Sequence, residues 1–179
     1  MSQIGTVYGQ ALYGLAKDEN LSDVILQELT VLEESFRAEP GFLRLLAAPN
    51  VAVEERCKIL DDCFRGKVQS YVLNFLKILT EKGVIKAFSD CVGAYREQYN
   101  VDHHILPVTA VTAVPLSKAQ IKQLTDKLSD LTGKTACVMN RVDPSCLGGV
   151  RLDYDGKRVD GSVATRLEAV RNMLKNTVL

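Results

Sequence analysis

The sequence predicts an α+β protein: an N-terminal six-helix bundle followed by a small C-terminal α/β domain with a short sheet and two helices. Three observations predict it. Apolar residues recur at three- and four-residue steps through residues 1–99, the spacing of helices with one buried stripe. Beyond His103 the pattern turns to β-branched alternation at Val108–Val114, which suits a half-buried pleated strand. Further on, Asp155-Gly156 separates two short runs, and that dipeptide is the strongest short-range hairpin signal.

Each helix has its own stripe. Tyr8, Ala11, Leu12 and Leu15 mark the first, closed by the turn-forming Lys17-Asp18-Glu19-Asn20. Ile25, Leu29, Leu32 and Phe36 mark the second, and Pro40-Gly41 interrupts it. A short apolar piece at Phe42–Leu46 is the third, and Pro49-Asn50 interrupts again. Val53, Cys57, Leu60 and Phe64 define the fourth, ended by Gly66. The fifth runs from Val68 to Glu81 with Gly83 at a C-cap position, and the sixth carries Ile85, Phe88, Val92, Tyr95 and Tyr99.

The boundary is expected in the window 100–106, dividing the chain into domains 1–103 and 104–179. In the second part, a strand at Val108–Val114 has Pro107 at its edge. Ser117 and Gln120 have capping-box spacing, Leu116 and Ile121 the spacing of a hydrophobic staple. The helix they open shows Ile121, Leu124, Leu128 and Leu131 on one face and stops at Gly133. Ala136–Val142 reads as a second strand, Asp143-Pro144-Ser145 as a type I turn. Val150–Tyr154 and Lys157–Val159 form the hairpin, and Ser162 caps a final helix with Val163, Leu167, Val170 and Leu174 inward.

Composition excludes several function classes. The chain has 179 residues, 46% apolar and 25% charged, with 22 Lys+Arg against 22 Asp+Glu. A balanced charge without a basic stripe argues against a nucleic-acid partner, and no apolar run reaches the roughly 20 residues of a membrane span. The N-terminus has neither a signal-peptide nor a transit pattern, so a cytosolic location is expected. The five cysteines are scattered and odd in number, which reads as reduced, mostly buried small hydrophobes.

Candidate chemistry is sparse. His103 and His104 are adjacent, so on either a strand or a helix they diverge and cannot share a metal. A cysteine nucleophile would need a base and an electropositive setting; Cys57 and Cys91 sit on apolar stripes, and Cys146 lies in a turn. Gly148-Gly149 lacks the surrounding residues of a phosphate loop and reads as a bulge or close approach. Asp153, Asp155 and Asp160 lack the spacing of a calcium loop. No catalytic, cofactor or metal site is expected.

Excess apolar surface is more informative. Seven of the nine residues Tyr71–Leu79 are apolar, whereas one buried stripe needs three or four per two turns. The first helix has a similar surplus, interleaved with Gly5, Gly9 and Gly14, small residues that permit close approach of another backbone. Either these helices are central in the bundle, or they bury a second face against a partner helix.

The stretch Val142–Leu167, with Val142, Asp143, Gly148, Gly149, Asp160, Gly161, Ser162, Arg166 and Leu167, closely resembles the signature of the delta subunit of F-type ATP synthases, whose mitochondrial counterpart is the oligomycin-sensitivity-conferring protein. The resemblance spans the chain. Tyr8 with Ala11 and Leu12, Asn74-Phe75-Leu76 with Glu81-Lys82-Gly83, Val114-Pro115-Leu116 with Gln120, and Gly133-Lys134 are all similar to family motifs. Gly9, Cys146 and Asp153 depart from it, standing where Ala, an aliphatic residue, and a basic or amide residue are usual.

The resemblance implies a non-catalytic stator subunit at the cytoplasmic face of a bacterial plasma membrane. Such a subunit links N-terminal segments of the alpha subunits of the catalytic head to the C-terminal ends of the b subunits of the peripheral stalk. It thereby couples proton flow to ATP synthesis. The bundle would bind the head and the C-terminal domain the stalk, with no cofactor, no nucleic acid and no direct membrane insertion. It also puts the alpha contact between the first and fifth helices. Leu12, Phe75, Leu76 and Leu79 then serve the core, while Tyr8, Ala11, Leu15 and Ile78 form the outward apolar face. Gly148, Gly149, Asp160, Gly161 and Ser162 form a structural motif. The competing readings are a small cytosolic thiol enzyme and an unrelated helical adaptor.

Overall fold

The computed structural model describes residues 3–161 together with Val163 and Thr165. The chain is α+β and separates into two compact units, divided between Tyr99 and Asn100. The first contains α1 (Gln3–Asp18), α2 (Ser22–Ala38), α3 (Pro40–Leu46), α4 (Val53–Phe64), α5 (Ser70–Glu81), a 3-10 turn (Ile85–Ala87) and most of α6 (Phe88–Asp102).

The expected stripes become the core of this unit. Ile25, Leu29, Leu32 and Phe36 of α2 are all buried, as are Phe88, Cys91, Val92 and Tyr95. Phe36 is the meeting point of three elements besides its own. Its ring lies 5.7 Å from Phe42, 6.3 Å from Phe64 and 5.0 Å from Phe88. Such offset and edge contacts add about 0.5–1.5 kcal/mol per pair beyond area burial. Polar bonds fasten α6 to α2: the Tyr95 hydroxyl donates to the Ser22 carbonyl at 2.9 Å and the Tyr99 hydroxyl to Asp23 at 2.5 Å.

Three features of this unit depart from expectation. Arg56, a charged residue on α4, is buried because its Nη1 donates to the Leu46 carbonyl at 2.9 Å, satisfying an orphan group near the end of α3. Cys57, expected in the core, is only half-buried, and so is Cys63. The helical pattern expected to end at Tyr99 continues in α6 to Asp102, and His103 and His104 separate α6 from the next strand. Both histidines are exposed, and His104 takes φ 52° to make the turn.

The glycine-bearing face of α1 is internal. Gly5 and Gly9 are buried, and a Cβ at Gly9 would lie 2.3 Å from the Cys91 carbonyl oxygen and 2.8 Å from the Ala94 Cβ. Close approach of a second backbone does occur there, but the backbone is that of α6. Leu12, Tyr13 and Ala16 are buried on the same side, and Tyr13 meets Tyr95 edge-on at 5.2 Å.

The second unit is built on a four-stranded sheet in the order β2-β1-β3-β4, with β1 (Ile105–Thr112), β2 (Thr135–Val142), β3 (Val150–Tyr154) and β4 (Lys157–Asp160). β1 and β2 run parallel, so a crossover must join them; α7 (Lys118–Thr132) supplies it. Ser117 and Gln120 form the expected capping box, and Gly133 follows the last turn. β3 pairs antiparallel with both β1 and β4. The β3–β4 turn places Asp155 at φ 52° and Gly156 at φ 70°, the two positive values that a type I′ hairpin requires.

Pro107 is not at the start of its strand as expected. β1 begins at Ile105 and is central, yet β3 pairs it only from Val108 onward, so Pro107 is paired on the β2 side alone. Asn140 braces the sheet from β2. Its Nδ2 donates to the Ala110 carbonyl and Thr112 Oγ1, both at 2.9 Å, and its Oδ1 accepts from the Leu116 amide at 2.9 Å. The expected final helix lies largely outside the described residues.

Gly9 and Gly14 give opposite expectations for one substitution. Ala is the better helix former by about 1 kcal/mol, and nothing lies within 4 Å of a Cβ at Gly14. Gly14→Ala should therefore raise stability by about 0.5–1 kcal/mol. Gly9→Ala should lower it by about 1–3 kcal/mol, as overpacking does. Urea midpoints of the two variants check the pair.

Candidate functional site

An open groove of about 330 Å³ runs between α1 and α5. Its floor is Leu12 and Phe75, which are 5% and 6% exposed and belong to the core cluster. Its α1 wall is Tyr8, Ala11 and Leu15; its α5 wall is Tyr71, Asn74 and Ile78. Leu15 is 42% exposed and Ile78 43%, whereas Leu76 and Leu79 are wholly buried. The surplus apolar residues of the two helices therefore split into an inward and an outward set. Ile4 precedes Tyr8 by one turn and is 48% exposed, continuing the outward stripe toward the N-terminus.

All four sequence-derived candidates, Tyr8, Ala11, Leu15 and Ile78, line this groove. Tyr71 and Asn74 also line it and were not among them. The signal for both is the spacing 71, 74, 78, which continues the Ile78 stripe by helical steps. Fixed charges hold the α5 wall. Lys77 Nζ lies 2.7 Å from Asp61 on α4. The negative charge of Glu19 pushes the Tyr71 phenol above its ordinary value, and the same carboxylate accepts its hydrogen bond.

The glycine motif of the second unit ties a loop to the chain beyond β4. Gly149 takes φ 79°, a region disfavoured for side chains with a Cβ. The Val163 amide donates to the Gly148 carbonyl at 2.9 Å, and the Gly161 amide to the Val150 carbonyl at 3.1 Å. A Cβ on Gly161 would stand 3.2 Å from that same Val150 oxygen. The Gly148 amide is likewise engaged, donating to the Cys146 carbonyl at 2.6 Å. The Gly148 and Gly161 backbone donors are thus spent internally. Asp160 stands opposite Arg151 in the β3–β4 register; Ser162 lies outside the described residues.

Asp153, on this hairpin, is paired with two basic neighbours. Asp153 Oδ1 accepts from Arg158 Nε at 2.8 Å, and Arg151 lies 3.7 Å from its other oxygen. Among the described residues no group of three or more His, Cys, Asp or Glu could hold a metal, and no helix is long and apolar enough to cross a membrane.

Cys57 and Cys91 are not activated thiols. Only Cys91 and Cys146 are buried; Cys137 is exposed on β2, against the expectation of mostly buried thiols. Burial pushes the Cys91 thiol up to about 11, and burial with the Glu81 charge raises Cys57. Both shifts oppose the thiolate that a nucleophile needs. Cys91 also links pH to folding. The unfolded thiol releases its proton near 9.0 and the folded one near 11, so the unfolded chain binds fewer protons in between. Stability should then fall as pH rises from about 9 to 11. Alkylation of the native protein near pH 8 should mark Cys137 first and leave Cys91 unmodified until denaturant is added, as peptide mass mapping would show.

The sequence model of the ATP synthase delta (OSCP) subunit family matches residues 4–174. ATP synthase subunit delta of Clostridioides difficile is 32% identical over 176 residues, covering 98% of this chain and 97% of the relative. The subunit of the same name from Lactobacillus delbrueckii is 33% identical over 171 residues, with 93% of each chain covered. Among solved structures, a chain of the Toxoplasma gondii mitochondrial ATP synthase hexamer superposes with a TM-score of 0.74 at 20% identity, over 97% of this chain and 98% of that one. At that identity the likeness is one of fold. The chain belongs to the ATP synthase delta (OSCP) subunit family, the non-catalytic stator subunits of F-type ATP synthases.

Proposed function

We propose that this subunit joins the catalytic head to the peripheral stalk through its two units. The N-terminal unit, residues 1–103 with its six helices, takes an amphipathic helix from the N-terminus of an alpha subunit into the α1–α5 groove. The C-terminal unit, residues 104–179, holds the C-terminal ends of the b subunits. The complex stands at the cytoplasmic face of a bacterial plasma membrane, and the subunit contacts no lipid core. Held at both ends, it resists rotation of the head, so proton flow drives ATP synthesis.

The observation that carries the head contact is the outward apolar wall of Tyr8, Ala11, Leu15 and Ile78 over the buried Leu12 and Phe75. A groove walled by two helices with side chains at i, i+3, i+4 and i+7 matches the face of one docked amphipathic helix. Ala11 leaves room on the α1 wall for that helix to approach.

The test is titration of a synthetic peptide of the alpha N-terminal segment into wild type, Ala11→Asp and Ile78→Asp. Both positions are exposed in the free subunit, so circular dichroism should show folded variants. Affinity should drop by about a hundredfold or more, because docking would bury an unpaired carboxylate. Unchanged affinity in folded variants would remove the groove assignment, and loss of folding would return these residues to the core.

A further inference from the structure

The side chains around the groove are apolar or aromatic with one exception, the carboxamide of Asn74. Asn74 lies one helical turn from Tyr71 and one from Ile78, so it stands in the middle of the α5 wall. The polar groups beside it are engaged within the chain: Tyr71 by Glu19 and Lys77 by Asp61. Asn74 is exposed, and its side chain makes no hydrogen bond to the described residues. Nor does local folding favour it, since Asn is a poorer helix former than the Leu or Ala that could stand there.

A carboxamide carries two N–H donors and an acceptor oxygen. In the free subunit water satisfies them. Under an apolar helix that water is displaced, and an amide left unmatched weakens the complex. The groove therefore discriminates between occupants: a helix with a polar side chain opposite Asn74 docks intact, whereas one that is apolar there docks at a loss. A single buried Asn fixes register in coiled coils by the same logic.

We propose, on the docking reading above, that Asn74 is the specificity determinant of the groove. It pairs with a polar side chain at one position of the docked helix, and that pair sets the helix's register.

The experiment is a double-mutant cycle on the full chain, with the alpha N-terminal peptide as probe. Asn74→Leu is combined with Ala substitutions at each polar position of the peptide. Asn74→Leu should keep its helicity and bind the parent peptide about tenfold more weakly. One peptide substitution should cost the wild type the same factor and the Leu variant nothing, and Asn74→Gln should recover part of the loss. If the Leu variant binds the parent peptide equally or more tightly, or every peptide substitution costs both proteins equally, the assignment is overturned. Ile78→Asp separates the two readings. Binding that Ile78→Asp abolishes and Asn74→Leu leaves unchanged keeps the groove and removes its determinant; no binding to the wild type removes both.

Discussion

The packing of α1 on α6 at Gly9 is the constraint from which the groove follows. A Cβ there would stand 2.3 Å from the Cys91 carbonyl oxygen, so the helices meet backbone to backbone. That contact fixes which way α1 is turned. With Gly9, Leu12, Tyr13 and Ala16 inward, residues 8, 11 and 15 are left facing out. Turning α1 by one residue, about 100°, would bury the wrong set. The α5 wall has an independent anchor, because Leu76 and Leu79 sit in the core while Lys77 reaches Asp61 on α4. Two helices fixed from behind thus present a preformed apolar channel to solvent, which lowers the ordering cost of docking.

The second unit achieves rigidity differently. Its sheet has a parallel pair at one edge, β2 with β1, and one side chain, Asn140, ties β1, β2 and the approach to α7 together. The glycine motif closes the other end by backbone bonds, Val163 to Gly148 and Gly161 to Val150. Both arrangements spend polar groups on holding strands and loops in place. This suits a subunit whose work is to hold load across interfaces and not to turn over a substrate.

Much of this was legible in the sequence because helical periodicity and turn chemistry are local signals. The Ile25–Phe36 stripe, the Ser117–Gln120 box and the Asp155-Gly156 turn each depend on neighbours within a few residues. What was not legible depends on distant partners. Arg56 is buried because the Leu46 carbonyl needs a donor, and no spacing within α4 announces that. The glycines of α1 were visible as small residues, yet whether they approach α6 or an external helix is decided by the tertiary fold. Asn74 was visible only as part of a family-like motif; as a polar residue it fell outside a search for apolar stripes. Family membership came from ordered motifs across the chain, above all Gly148-Gly149 with Asp160-Gly161.

The α1–α5 channel is the proposed place where the head is held. Methyl chemical-shift mapping of the labelled subunit during titration with the alpha N-terminal peptide tests it most directly. Ala11, Leu15 and Ile78 methyls should move together along one binding curve, while Val31, 62% exposed on α2, stays in place. A binding curve reported by Val31 with the groove methyls unmoved would contradict the account.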